Sequence, residues 1–369
     1  MERKRIRDFG IIPGVMKTGP LNKITDVPGV MVGHKTIRTE DNKTGVTVIL
    51  PGPGNVFARK LVAAGYVHNG FGKTCGLLQV EELGTLETPI ALTNTLNVGL
   101  TADALVEYTI RQCAGDQAEA LSVNPVVGEC NDSRINRIQR RAVSCQDVME
   151  AFETACRDFE EGDVGAGTGT VCYGLKGGIG SASRVIKIGG IAYTLGALVQ
   201  SNFGVTEDLV IDGIPAGRRI LEEKERRRRM ATAEQDQGSI MTVIATDLPL
   251  SDRQLRRVIR RAGVGIARTG AYTGHGSGEV MIGFTTAGRQ QGQDEPELVT
   301  RTCIREDLIN PVFKAAAEAV SEAILNSMTA ASTTEGLKGE IYYSLSEFLP
   351  GLMRDGGPRD GCPPDGPTA

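Results

Sequence analysis

Ser239 stands where a serine could become the N-terminal nucleophile of a hydrolase. It follows Gly238, the run 240–246 directly after it is rich in apolar β-formers, and residues 234–237 before it are polar. This pattern predicts that Ser239 begins a buried strand behind a poorly structured segment. Cleavage of the Gly238–Ser239 peptide would give Ser239 a free α-amine, whose ordinary pKa of about 7.7–8 suits a general base near neutral pH. An ordinary junction between a loop and a strand would have the same sequence.

Ser277 and Glu279 form a second group that could take part in chemistry. Because they are two residues apart, their side chains point to the same face if the segment is extended. A hydroxyl and a carboxylate on one face could form a hydrogen-bonded chain to Ser239. His275 would share that face and suggests a Ser-His-acid triad, but His275 and Glu279 occupy the glycine positions of the Gly-x-Ser-x-Gly elbow. A glycine-rich turn with a solvent-exposed carboxylate is the alternative.

The composition of the chain excludes several classes of function. A net charge of −4 over 369 residues argues against nucleic acid or an anionic membrane as the main partner. No run approaches the about 18 apolar residues of a membrane span, and no apolar segment follows the first five residues, so a cytoplasmic protein is expected. Eight cysteines without Cys-x-x-Cys spacing and three histidines predict no metal site.

A glycine-rich stretch at 165–170 could suggest a nucleotide cofactor. Thr170 stands where the dinucleotide motif has its last glycine, and no Gly-Lys-Ser/Thr follows for a phosphate loop. The stretch is better explained by tight backbone packing around an active site, and no cofactor is expected.

The elements that must position these residues alternate along the chain. Strands are predicted over 240–246 and 279–286. One helix is predicted to be capped by Ser251 and to end at Gly263, and a long amphipathic helix is predicted over 312–328. This order gives an α/β protein.

Two segments of the chain are predicted to be mobile or disordered. Residues 216–221 can begin a helix, but 222–229 has no apolar face, so 216–238 is expected to be a mobile linker ahead of the cleavage point. The four consecutive arginines at 226–229 could instead bind RNA, although no aromatic residues flank them. Residues 353–369, rich in glycine and proline, are expected to be disordered.

Five sequence blocks stand in the order found in one hydrolase family. They are 19–34, 86–95, 164–184, 198–204 and 276–279. In these blocks the chain resembles the L-aminopeptidase D-Ala-esterase/amidase family, which includes the β-peptidyl aminopeptidases. The resemblance implies a four-layer αββα sandwich with the nucleophile on a central strand. It also implies one domain over 1–352, cleaved into 1–238 and 239–369, and a homotetramer of processed αβ protomers.

The resemblance also assigns roles to residues. Asn202 is similar to the family's oxyanion-hole asparagine, whose amide N–H is a preorganised donor; without the family it would be a turn residue. Ser277 and Glu279 match the second serine and the acidic residue that orient the nucleophile. Glu129 resembles the carboxylate that holds the substrate ammonium.

Two positions depart from the family pattern. Relatives commonly have Asn-Asp-Gly-Tyr-Leu-Asn where residues 131–136 are Asn-Asp-Ser-Arg-Ile-Asn, so Arg134 replaces the family's active-site tyrosine. A cation there would either neutralise Glu129 or recruit a substrate carboxylate. Lys73 stands where relatives are expected to have an acidic residue, and it either alters the pocket or lies on the surface.

The sequence as a whole predicts a self-processing serine aminopeptidase or amidohydrolase that removes N-terminal aminoacyl groups from small peptides, amides or esters. Ser239 is its predicted nucleophile, with Asn202, Ser277 and Glu279 in support. One alternative is an amide hydrolase or acyltransferase without strict free-amine specificity, although the fold-related ornithine acetyltransferases use threonine. The other is a catalytically inactive scaffold that binds peptides.

Overall fold

The computed structural model describes residues 3–116, 118–226, 238–288 and 298–354. The strands in these residues are β1 (Met31–Arg38), β2 (Lys43–Leu50), β3 (Leu61–Gly70), β4 (Thr85–Leu86), β5 (Ile90–Asn94), β6 (Val126–Cys130), β7 (Val171–Cys172), β8 (Leu175–Lys176), β9 (Gly178–Ile188), β10 (Ile191–Asn202), β11 (Ser239–Thr246), β12 (Gly278–Thr285), β13 (Thr334–Glu335) and β14 (Ile341–Tyr342). The α-helices are α1 (Leu77–Leu83), α2 (Val98–Gly115), α3 (Cys145–Glu153), α4 (Ala216–Arg226), α5 (Asp252–Ile259), α6 (Ala262–Ala267), α7 (Asn310–Thr329) and α8 (Leu349–Arg354).

Two sheets form the centre of the molecule. The larger has six strands in the order β4-β3-β12-β11-β10-β9, and the smaller has four in the order β1-β2-β5-β6. Strand β11 runs parallel to β12, and β5 runs parallel to β6, whereas the other neighbours are antiparallel. Strands β7 with β8 and β13 with β14 form two small additional sheets.

Helices cover the outer face of each sheet. The side chains of β11 alternate: Met241 and Val243 pack between the two sheets, whereas Ile240 and Ile244 pack toward α5, α6 and α7. Because both faces of β11 are buried, its sequence is a continuous apolar run. Helices α2 and α3 cover the smaller sheet through a third cluster that includes Leu105. The predicted four-layer αββα sandwich is confirmed.

Three of the predicted elements are confirmed with small changes in their ends. They are β11, β12 and α7, and the Ser251 side chain caps α5 by accepting the N–H of Gln254. The prediction that this helix ends at Gly263 is wrong. Helix α5 ends at Ile259, and Gly263 lies inside α6, where glycines allow close contact with α7: a Cβ on Gly265 would lie 2.8 Å from the Ala317 carbonyl oxygen.

The predicted linker 216–238 begins with helix α4, which starts at Ala216, where the sequence allows a helix, and extends to Arg226. Ala216, Gly217 and Ile220 are buried, and Gly217 packs so tightly that a Cβ there would lie 1.8 Å from the Thr206 carbonyl oxygen. These buried residues anchor the start of the helix, and its charged part follows at 222–226. The rest of the linker, 227–237, and most of the predicted tail, 355–369, lie outside the described residues. The start of that tail belongs to α8.

No helix among the residues described here has the length and apolar character needed to cross a membrane.

Candidate active site

Two predicted site residues, Ser239 and Asn202, meet where two interior strands of the six-stranded sheet pair with each other. Ser239 is the first residue of β11, and Asn202, the last residue of β10, is its direct partner in the antiparallel register. Gly278, at the start of β12, is the partner of Ser239 on the other side. Strand pairing therefore fixes the backbone of Ser239 between two neighbours.

The hydroxyl of Ser239 lies beside the peptide bond that precedes it. Its Oγ donates a hydrogen bond to the carbonyl oxygen of Gly238 at 2.7 Å, and the residue is only 5% exposed. The Gly238 carbonyl oxygen also accepts the Gly278 N–H at 3.0 Å. A Cβ at Gly238 would stand 2.0 Å from the Asn202 carbonyl oxygen, so only glycine fits there without a shift of the backbone.

Ser277 and Glu279 share a face, as their spacing predicts. Ser277 Oγ donates a hydrogen bond to Glu279 Oε1, and both residues are buried. Among the hydrogen bonds of the described residues, none joins Ser277 to Ser239. The pair is therefore formed, while the predicted chain to the Ser239 hydroxyl is not formed in the uncleaved chain.

His275 lines the pocket but is not part of this pair. Its side chain is exposed. Within the described part of the chain, His275 makes no hydrogen bond to Ser277, whose hydroxyl donates to Glu279 instead. This arrangement gives no support to a Ser-His-acid triad.

The Asn202 amide is held at both ends. Its Oδ1 accepts the Val171 N–H at 2.9 Å, and its Nδ2 donates to the Asn131 carbonyl at 3.0 Å. Since an amide nitrogen carries two hydrogens, one N–H remains for another acceptor. The side chain is thus fixed in orientation with one donor uncommitted.

Lys176 supports the loop that holds Asn202, a role that the sequence did not reveal. Its Nζ donates to the carbonyl oxygens of Gly167, Thr170 and Gly177 at 3.0, 3.0 and 2.8 Å. Burial lowers the pKa of Lys176 to about 7. Because Thr170 directly precedes Val171 in the chain, the Lys176 contacts brace the backbone that binds the Asn202 amide.

Glu129 lies at the end of β6 in the smaller sheet and is only 3% exposed. Its Oε1 accepts the backbone N–H of Lys73 at 2.8 Å, and its Oε2 accepts the Thr95 hydroxyl. Thr95 was missed as a site residue, although it lies in one of the blocks that carry the family resemblance. These two donors fix the carboxylate in one orientation.

A pocket of about 420 Å³ lies in front of Ser239 and is lined by residues of both sheets. Glu129, Arg134 and Lys73 line it together with Ser239, whereas Asn202, Ser277 and Glu279 are not among its lining residues. The structure thus brings the predicted nucleophile and both predicted substrate-binding residues to one cavity. The described residues contain no group of three or more His, Cys, Asp or Glu side chains placed to hold a metal ion.

Solved structures share this architecture. A protein of Pyrococcus horikoshii OT3 is 45% identical, with a TM-score of 0.86 over 96% of this chain and 99% of that one. The L-aminopeptidase D-Ala-esterase/amidase of Ochrobactrum anthropi, described as a prototype of the serine aminopeptidases and a variant of the Ntn hydrolase fold, is 34% identical. Its TM-score is 0.86 over 95% of this chain and 98% of its own. The fold is that of an N-terminal-nucleophile hydrolase.

Sequence comparison gives the family. The model of Peptidase family S58 matches residues 22–342. The β-peptidyl aminopeptidase BapA of Sphingosinicella microcystinivorans is 35% identical over 362 residues, which cover 93% of this chain and 90% of that protein. The chain belongs to peptidase family S58. It is a hydrolase of the serine aminopeptidase type and cleaves N-terminal residues.

Proposed function

We propose that this aminopeptidase activates itself by cleaving the Gly238–Ser239 peptide bond, and that Ser239 is then its nucleophile. The observation that carries the proposal is the 2.7 Å contact between Ser239 Oγ and the Gly238 carbonyl oxygen, which places the hydroxyl beside the bond to be broken.

Self-cleavage proceeds in two steps, formation of an ester and its hydrolysis. Ser239 Oγ adds to the Gly238 carbonyl carbon, and the C–N bond to Ser239 then breaks, so that the amide becomes an ester and the hydroxyl proton passes to the nitrogen. Water hydrolyses this ester, leaving a carboxylate on Gly238 and a free α-amine on Ser239. The Gly278 N–H, which already binds the Gly238 oxygen, stabilises the negative charge that develops there.

The processed enzyme then uses the hydroxyl of Ser239 to cleave a substrate. The α-amine of Ser239 takes the hydroxyl proton, Oγ attacks the substrate carbonyl carbon, and the departing amine receives that proton. The free N–H of Asn202 stabilises the oxyanion, and water then releases the acyl group from Ser239. Ser277 and Glu279, which stand beside Gly278 at the start of β12, orient the new α-amine.

The substrate is a small peptide, amide or ester with a free N-terminal amine. Glu129 binds its ammonium group, because the carboxylate is fixed at the pocket and is largely removed from water. Relatives named for β-peptidyl and for L-amino acid substrates support activity on both β- and α-linked N-terminal residues. One domain over 1–352, a homotetramer of processed protomers and a cytoplasmic location remain predictions.

Intact mass after purification tests this proposal. Two tightly associated chains of roughly 25 and 14 kDa are expected from the mean residue mass, the smaller beginning at Ser239. Ser239→Ala should leave one uncut chain with no hydrolysis of an aminoacyl p-nitroanilide. Ser122→Ala, at an exposed serine away from the pocket, is the matched control and should be cut normally. Another new N-terminus, or cleavage that survives Ser239→Ala, would disprove the mechanism.

A further inference from the structure

The pocket in front of Ser239 carries charges of both signs. Glu129 supplies the negative charge, with its carboxylate fixed by the Lys73 N–H and the Thr95 hydroxyl. Arg134 and Lys73, whose side chains are cationic, line the same pocket. A substrate that carried only an ammonium group would leave both cations unused and would be repelled by them.

Among the residues that the structure describes, neither cation pairs with a carboxylate. Within the described residues, the Arg134 side chain makes no hydrogen bond or ion pair, although it is half-buried. Lys73 Nζ lies 4.5 Å from the centre of the Phe71 ring and pairs with no carboxylate in the same described part of the chain. By contrast, the buried Arg184 binds two glutamates, Glu318 and Glu322.

Glu129 and Arg134 line one cavity without forming an ion pair with each other. Each charge is therefore open to a substrate group of opposite sign. A guanidinium presents a planar set of N–H donors that suits a carboxylate, and charge-assisted hydrogen bonds of this kind are stronger than neutral ones.

We propose that Arg134, with help from Lys73, binds a carboxylate on the N-terminal residue of the substrate, so that the enzyme prefers peptides beginning with an aspartyl residue. This inference rests on the proposed function, in which Glu129 binds the ammonium of that same residue. An aspartyl residue carries an amine and a carboxylate on adjacent carbons when α-linked, and on the same carbon when β-linked. In either linkage, the substrate ammonium binds Glu129, its carboxylate binds Arg134, and its carbonyl carbon faces Ser239.

Two pairs of p-nitroanilides test the preference, since the members of each pair differ by one carboxylate. They are α-aspartyl against alanyl, and β-aspartyl against β-alanyl. In at least one pair the wild-type enzyme should favour the acidic member by about 10- to 100-fold in kcat/KM, the range expected for hydrogen bonds to a charged group. Raising the ionic strength should reduce this ratio, because salt screens the contact.

Variants show whether Arg134 causes the preference. Arg134→Met should bring the ratio close to one, Arg134→Lys should keep part of it, and Lys73→Met should lower it to a smaller extent. Arg137→Met is the matched control, because Arg137 lies on the same loop but pairs with Asp41 away from the pocket; it should leave the ratio unchanged. The appearance of the two processed chains verifies that each variant folds.

The outcomes separate this inference from the function on which it rests. Hydrolysis of alanyl or β-alanyl p-nitroanilide with no preference for either acidic substrate would overturn the role of Arg134 alone. A preference that survives Arg134→Met would overturn it as well. If the wild-type enzyme cleaves none of the four compounds, the proposed function itself fails.

Discussion

Asn202 and Ser239 are direct partners in the antiparallel register of β10 and β11. The proposed oxyanion donor and the proposed nucleophile are thus held by two paired central strands and not by loops. Groups on paired strands keep their relative positions better than groups on loops. Cleavage before Ser239 would therefore leave the relation of these two residues largely unchanged.

The first prediction concerns the tight contact of Gly238 with Asn202. In Gly238→Ala, the added Cβ would meet the Asn202 carbonyl oxygen at 2.0 Å, so the backbone must move and carry the Gly238 carbonyl away from Ser239 Oγ. Self-cleavage should slow by at least about tenfold, because loss of alignment of this kind is costly. Mass spectrometry of samples taken at intervals after synthesis measures the rate.

Gly99→Ala is the control for this prediction. Gly99 lies in α2, and a Cβ there would have no atom within 4 Å. This variant should be cut at the wild-type rate. Equal rates for Gly238→Ala and Gly99→Ala would show that the contact with Asn202 does not position the scissile bond.

The second prediction separates an N-terminal nucleophile from a histidine triad. Asn202→Ala should lower kcat by about 10²–10³-fold, the usual effect of losing one oxyanion donor. His275→Ala should keep most of the activity, because Ser277 donates to Glu279 and not to His275. Steady-state kinetics on an aminoacyl p-nitroanilide, with protein confirmed as processed, gives both values.

Asn202→Asp adds a matched test, because it keeps the size of the side chain while replacing the N–H donor by a carboxylate oxygen. It should be at least as slow as Asn202→Ala. An inactive but processed His275→Ala would mean that the base has been misassigned.

The strands at the candidate active site were largely predictable because their signals are local. The apolar run after Ser239 identified β11, and the two-residue spacing of Ser277 and Glu279 identified a shared face. Both signals depend only on the period of an extended strand. The order of strands in the two sheets has no such local signal, and the αββα arrangement came from the family resemblance.

Contacts between distant segments were not predictable. In the sequence, Lys176 stands beside two glycines and is typical of a turn, yet in the structure it binds three carbonyl oxygens. Thr95 reaches Glu129 only because β5 and β6 are parallel neighbours. For both residues the partner is fixed by the tertiary fold. The sequence indicated only the start of helix α4, because its charged part at 222–226 has no apolar face of its own.

The third prediction tests Glu129 as the ammonium anchor. Glu129→Gln removes the charge but keeps an amide of the same shape for the Lys73 and Thr95 contacts. For alanyl p-nitroanilide, kcat/KM should fall by about 10- to 100-fold, mainly through KM, because ground-state binding of the ammonium is lost. Any slow hydrolysis of the N-acetylated substrate should be unaffected, since that substrate carries no ammonium group.

Glu82→Gln makes the same change at an exposed site outside the pocket. It should leave the hydrolysis of both substrates unchanged. An unchanged KM for the free amine in Glu129→Gln would move the ammonium site elsewhere in the pocket.

The last prediction concerns pH and His34, which lies away from the active site. Its Nε2 contacts the Glu160 carbonyl oxygen at 3.1 Å and therefore donates, so Nδ1 accepts from the Thr47 hydroxyl at 2.9 Å. Burial, with smaller effects from Lys23 and Arg3, lowers the pKa of this histidine to about 4.

Between about pH 6.5 and pH 4 the unfolded chain consequently binds more protons at His34 than the folded chain does, and stability must fall as the pH falls. His34→Gln removes this titration. The free energy of unfolding of the parent relative to the variant should then decrease by up to about 1.4 kcal/mol per pH unit through that range. Urea unfolding at pH 7, 5.5 and 4.5, in the uncleaved Ser239→Ala background, measures it on one chain.

The comparison with the variant is necessary because Asp132 acts in the opposite direction. Burial raises the pKa of Asp132 to about 6, so its contribution to stability grows as the pH falls from about 6 toward 4. This contribution is common to parent and variant and cancels in their difference. Parallel stability curves for the two proteins would show that His34 is not held neutral by the fold.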